Sequence, residues 1–177
     1  MFSYNSMKKI LFKFDPETAH NIAEYGLRIL GKCKIAKAYM QKKNYINNPK
    51  LTQEVFGVRF ANPVGLAAGF DKNATIIKAM QSLGFGFTEI GTMTPKPQDG
   101  NPKPRMFRYP ELKSVQNAMG FNNKGAHKVL KNLKKVYPFE IPVGTNIGKN
   151  KTTPEEFALS DYKSLIKKFE ASSDYLV

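Results

Sequence analysis

From Val64 onward the sequence alternates short apolar runs with segments of helical periodicity, and this alternation constrains the fold more than any other feature. Val64–Ala68, Phe87–Gly91 and Val143–Ile147 read as buried strands. Ala74–Leu83, Lys124–Tyr137 and a segment from Pro154 to about Ala171 read as helices, and the closing Asp-Tyr-Leu-Val opens another strand. Strands separated by helices pair in parallel, because each crossover returns the chain to the same edge of the sheet. Lys72, Thr92 and Asn146 fall at strand ends, where a (β/α)8 barrel gathers its functional groups. A complete barrel takes about 250 residues. The pattern therefore predicts an α/β fold, the N-terminal half of a (β/α)8 TIM barrel, over residues 51–177.

Residues 1–45 read instead as a small helical extension. Asp15-Pro16-Glu17 is a helix start: the carboxylate caps, the proline supplies the first helical φ, and the early acid complements the dipole. Gly31 is the expected stop. Ile22, Tyr25, Ile29 and Leu30 recur between them, after a stripe of Phe2, Met7, Ile10, Leu11 and Phe14 and before one of Ile35, Ala38, Tyr39 and Met40. Lysines are interspersed. Such a unit either packs as a cap on the main domain or lies in a membrane surface with its lysines among anionic headgroups. Asn44–Lys50 is a polar linker, and the stretch EVFGVRF predicts two short strands turning at Gly57.

The charge balance narrows the partners. Against 28 Lys and Arg stand 14 Asp and Glu, a formal net charge of +14 that favours anionic ligands or surfaces. One cysteine, Cys33, and two histidines exclude a disulfide framework and make no metal site. No run approaches the roughly 20 apolar residues that span a bilayer, so membrane contact is expected to be peripheral. The stretch MKKILFKF is too broken by charge to be a secretion signal. The lysine-rich segment 124–137 reads as a solvated outer helix, with no aromatic-basic pattern for nucleic acid.

Several groups at the strand ends suit a ligand. Ala67, Ala68 and Gly69 are small enough for a planar or phosphorylated molecule to approach the backbone. Asp71-Lys72 is either a surface pair with Asp71 capping a helix or a cation offered to an anion. Residues 89–110 read as a long Pro- and Gly-rich loop rooted at Thr92, with Arg105 and Arg108 bracketing Phe107 for anion binding or stacking. The stretch NAMGFNNKG, residues 117–125, supplies paired amide donors and acceptors. Asn146 and Gly148 in GTNIGKN either face a cofactor edge or belong to an ordinary strand-to-loop turn.

Taken in order, FDPETAH, NPVGLAAGFDK, GFTEIGTMTPKPQDGNPKPRMFR, NAMGFNNKG and NIGKNK resemble the quinone-dependent, class 2 dihydroorotate dehydrogenases. The resemblance implies a flavin barrel whose helical extension attaches to the cytoplasmic face of the inner membrane and shapes a quinone tunnel. It implies FMN as cofactor, oxidation of dihydroorotate to orotate in pyrimidine synthesis, and ubiquinone or menaquinone as acceptor. By motif position, Ala68, Gly69, Phe70, Asp71, Lys72, Thr92 and Asn146 would line FMN. Lys72, Asn117, Ala118, Met119, Gly120 and Phe121 would hold the substrate. His20, Phe70 and Arg108 would shape the tunnel, with Leu11 at a variable tunnel-facing position. The family's general base, a serine after the fourth barrel strand, matches nothing in these residues, so no catalytic residue is assigned and the chain alone is expected to be inactive. Soluble class 1 enzymes share the barrel but use a cysteine base, and the extension before Leu51 argues for class 2. A membrane-associating, non-catalytic remnant is the third reading.

Overall fold

The structure is a computed structural model in which residues 4–177 are described; Phe2, part of the first apolar stripe, lies outside them. Three helices open the chain: α1 (Tyr4–Leu11), α2 (Pro16–Lys32) and α3 (Lys34–Asn44). Asp15 caps α2 as expected, its carboxylate accepting from the N–H groups of Glu17 at 3.1 Å and Thr18 at 3.0 Å. Gly31 does not stop that helix. A Cβ there would meet the Cβ of Lys78 at 3.2 Å, so the glycine serves close packing, and the chain breaks at Cys33.

Next come the hairpin strands β1 (Gln53–Val55) and β2 (Val58–Phe60), joined by Phe56-Gly57 with both φ angles positive, the mirror-image turn that suits strand twist. Then follow β3 (Gly65–Asp71), α4 (Ile77–Met80) and β4 (Phe87–Met93). The helix after β3 starts three residues later than the periodicity predicts. Ala74 has a φ of +57°, and Asp71 holds the backbone of residues 73–76 in a turn. The segment read as an open loop folds as a hairpin, β5 (Met106–Tyr109) against β6 (Ser114–Asn117), with Phe107 opposite Gln116, Arg108 opposite Val115 and Tyr109 opposite Ser114 across a turn that begins at Pro110. The last elements are α5 (Ala126–Lys134), β7 (Val143–Ile147), α6 (Ala158–Phe169) and β8 (Tyr175–Leu176). The helix α5 begins at Ala126 rather than Lys124, because Gly125 has a φ of +77°.

The four strands β3, β4, β7 and β8 pair in that order, all parallel. This is half of a (β/α)8 barrel. Its outer face buries Ile90, Met93 and Val143 under Val129 and Leu133 of α5 and Leu165 and Phe169 of α6. Each such side chain taken fully from water contributes about 1.5–3 kcal/mol. A second cluster joins Ile76, Met80 and Ile141 to Leu27 and Leu30 of α2, so the extension shares a core with the barrel. On the inner face small and large residues alternate around the strand starts. A Cβ at Gly65 would sit 2.2 Å from the Phe87 ring, and one at Gly144 2.3 Å from the Tyr175 ring. Phe60 of the first hairpin packs edge-on to Phe87 at 5.4 Å, closing this end. Ligand access is therefore left to the opposite, C-terminal ends of the strands.

Candidate functional site

The C-terminal end of β3 is organised by one buried carboxylate. Asp71 is fully buried and accepts from the N–H groups of Asn73 (3.3 Å), Thr75 (2.8 Å) and Ile76 (3.0 Å). Burial pushes its carboxyl up while these amides pull it down. Asp71 is thus no surface residue, and with its side chain spent on the turn only its backbone is left to meet a ligand. The residue that this turn orients is Lys72. It is half-buried, and desolvation, with the Arg105 charge adding to it, lowers its ammonium against the opposing pull of Glu24 and Glu17. Lys72 shares a cavity of about 770 Å³ with His20, Phe70, Met119 and Asn122.

On the neighbouring strands Thr92 and Asn146 meet directly. The Thr92 hydroxyl donates to the Asn146 amide oxygen at 2.6 Å, which orients that amide and leaves its NH2 group as a donor. Both lie within their strands, near the last residues of β4 and β7. The close approach needs Gly91, whose φ is +108° and whose Cβ would lie 2.4 Å from the Asn146 carbonyl oxygen. Gly69, with a φ of +102°, faces open space instead, so β3 presents bare backbone beside the exposed Ala67 and the half-buried Ala68.

Residues 117–121 continue from β6 and are pinned through their backbone. Ala118 N–H donates to the Arg105 carbonyl (2.8 Å), Asn101 N–H to the Met119 carbonyl (3.1 Å) and the Gln98 amide to the Gly120 carbonyl (3.1 Å). Phe121 is exposed, with a φ of +52°. The asparagines divide by task. Asn123 is buried and bonds to Thr94, Phe121 and Gly125, a purely conformational role. Asn117 is exposed, its amide oxygen 3.4 Å from Met119 N. Asn122, which the sequence reading included in NAMGFNNKG without a role of its own, holds a buried amide oxygen without a protein partner and lines the cavity of Lys72 and Met119.

Arg105 does not face a ligand as expected. Its guanidinium forms a fork with Glu17 of α2 (2.7 and 3.2 Å) and donates to the carbonyls of Asp99 (2.6 Å) and Asn101 (2.9 Å). Both partners are only 8% exposed. Only the folded chain shows this pair, since 88 residues separate the two. Arg108 donates to the Phe14 carbonyl at 2.8 Å and lies over the Phe12 ring at 4.6 Å, lining a second cavity of about 780 Å³ with Phe107 and Tyr109. His20 packs edge-on to Phe70 at 4.5 Å. The three tunnel candidates thus divide, His20 and Phe70 lining one cavity and Arg108 the other. Leu11 is half-buried at the end of α1.

Two of these groups set a pH dependence. Burial first, and the Lys72 charge second, push His20 below its ordinary value. The unfolded chain therefore binds a proton at higher pH than the folded one, and stability is present above about pH 6.5 and declines below it. Glu17, held below its ordinary range chiefly by its hydrogen bond from Arg105, adds a second loss below about pH 4.5. We expect the melting temperature to fall between pH 7 and pH 5, and His20→Gln to flatten that slope while leaving the acid limb.

Residues 50–177 match the family model of dihydroorotate dehydrogenase. The chain belongs to the dihydroorotate dehydrogenase family. It is 58% identical over 177 residues to the dihydroorotate dehydrogenase (quinone) of Sulfurimonas denitrificans, and 56% identical over 174 residues to that of a Nitratiruptor species. These alignments cover 100% and 98% of the chain and 50% of each relative. The chain spans about half the length of the dihydroorotate dehydrogenases it matches. Among solved structures it resembles the dihydroorotate dehydrogenase of Eimeria tenella in complex with ferulenol, with a TM-score of 0.76, 38% identity, and coverage of 92% of this chain and 43% of that one.

Proposed function

We propose that this chain forms the flavin- and substrate-facing half of a class 2 dihydroorotate dehydrogenase, which oxidises dihydroorotate to orotate in pyrimidine synthesis and passes the electrons to ubiquinone or menaquinone. The observation that carries the reading is the oriented Thr92–Asn146 pair on the adjacent strands β4 and β7, with the bare backbone of Gly69 in β3 and Lys72 following that strand at the same C-terminal end of the parallel sheet. FMN fits these groups: a flat ring needs an uncrowded backbone on one side and fixed amide donors at its edge, and both are present. When bound, FMN supplies the two-electron acceptor.

The chain's own side chains orient and polarise. Lys72 offsets the negative charge of a substrate carboxylate, and its partial desolvation strengthens that attraction. Asn117 supplies an exposed amide at the hairpin end, and residues 118–120 are held too rigidly to drift from it. Neutral His20 against Phe70 gives an apolar wall suited to a quinone ring. The extension supports peripheral membrane contact: Ile22, Tyr25 and Ile29 on α2 and Ile35 and Tyr39 on α3 are exposed, Ile35 at 83%. Among the described residues no helix is long and apolar enough to cross a membrane.

The test is FMN titration of the purified chain, followed by flavin fluorescence. Asn146→Ala is expected to weaken binding about tenfold, the effect of losing about 1.4 kcal/mol of oriented hydrogen bonding. A chain that ignores FMN, or an Asn146→Ala variant that binds it equally well, would sink the assignment. The 177 residues alone are expected not to turn over dihydroorotate, because no general base is identified among them; steady oxidation would refute that.

A further inference from the structure

The cavity that begins at Lys72 continues outward as a groove between α2 and α5, and its walls are cationic. Arg28 and Lys32 line one side, Lys124, Lys128 and Lys135 the other, and Lys78 lies between them. None of these six has a carboxylate within 4.0 Å among the described residues. Of the two glutamates that reach the groove, Glu17 is paired with Arg105, while Glu24, which accepts from the Thr75 hydroxyl at 2.6 Å, offsets only part of the cationic excess. So many unpaired cations along one trough repel one another, and an anion seated between them relieves that repulsion.

The neighbouring surface identifies the anion's source. Arg28 and Lys32 stand at i and i+4 on α2, while Ile22, Tyr25 and Ile29, at i, i+3 and i+7, form the adjoining line of the same helix and are exposed. An apolar ridge thus runs alongside a cationic trough. A bilayer surface has the same order, acyl chains next to phosphates, whereas a soluble phosphate compound gains nothing from the ridge.

We propose that the α2–α5 groove receives the headgroups of anionic phospholipids, so that α5 of the barrel, and not only the helical extension, docks the protein on its membrane. This rests on the peripheral-membrane reading above and adds to it the lipid class and a barrel helix outside the extension. Lysine near an anionic surface contributes about a fivefold gain in binding, so removing two costs roughly thirtyfold.

The experiment measures partitioning of the full chain onto phosphatidylcholine vesicles with and without phosphatidylglycerol. Phosphatidylglycerol is expected to strengthen binding, and Lys128→Gln with Lys135→Gln to reduce that gain roughly thirtyfold while leaving binding to phosphatidylcholine unchanged. Arg28→Gln with Lys32→Gln, from the opposite wall, is expected to do the same, and thermal melting checks that both variants fold. A double variant that keeps the full phosphatidylglycerol gain overturns the groove assignment. If inorganic tripolyphosphate raises the melting temperature of the parent but not of that variant while the lipid gain persists, the groove holds a soluble phosphate and the lipid assignment falls. Failure to bind either vesicle overturns the membrane reading itself, a result distinct from binding that ignores lipid charge.

Discussion

Arg105→Ala is expected to destabilise the chain by about 3 kcal/mol or more, read as a shift of the urea midpoint. The substitution strands the buried Glu17 carboxylate, whose remaining cation, Lys103, stands 3.4 Å away on an exposed side chain. It also removes the donor to the carbonyls of Asp99 and Asn101. The damage should spread in two directions, because Arg105 ties α2 to the segment that holds residues 118–120. Hydrogen exchange of Ala118, Met119 and Gly120 is expected to accelerate together with that of the first turn of α2. Pairing Arg105→Met with Glu17→Gln should recover much of the loss, since removing both charges relieves the desolvation that breaking the pair leaves behind. An Arg105→Ala variant as stable as the parent would mean that the extension is held by its apolar contacts alone.

Asp71→Ala is expected to cost about 2–4 kcal/mol by leaving three turn amides without their acceptor. The effect should not stay local, because the turn sets where Lys72 points and Thr75 also binds Glu24 of α2. Asp71→Asn keeps one acceptor oxygen and should lose less. Lys72→Met, by contrast, should leave stability near the parent value, since its desolvated ammonium is a burden on the fold. The opposite responses of two adjacent residues would separate the one that builds the site from the one that serves a ligand; equal losses would contradict this division.

Much of the architecture was legible in the sequence because it rests on periodicity. The alternation from Val64 onward predicted four parallel strands in register with their helices, and the Asp-Pro-Glu start placed α2 to the residue. Errors fell where a side-chain contact, near or far along the chain, overrides the preference of the residue itself. Gly31 reads as a stop but packs on Lys78, and Ala74 reads as helix but sits in a turn shaped by Asp71. The hairpin β5–β6 was hidden by the prolines around it, which signal a loop unless the strand pairing is known.

The candidate site divides the same way. Residue order alone determined that Lys72, Thr92 and Asn146 would share one end of the sheet, since strands joined by crossover helices must all point the same way. Only the tertiary structure decided which polar groups are free to meet a ligand and which are consumed by the fold: Asp71, Asn123 and Arg105 are consumed, while Asn146 and Asn122 keep unused hydrogen-bonding groups. The reason is physical. A polar side chain is satisfied by whatever donor or acceptor comes within about 3 Å, and those neighbours come from segments far apart along the chain.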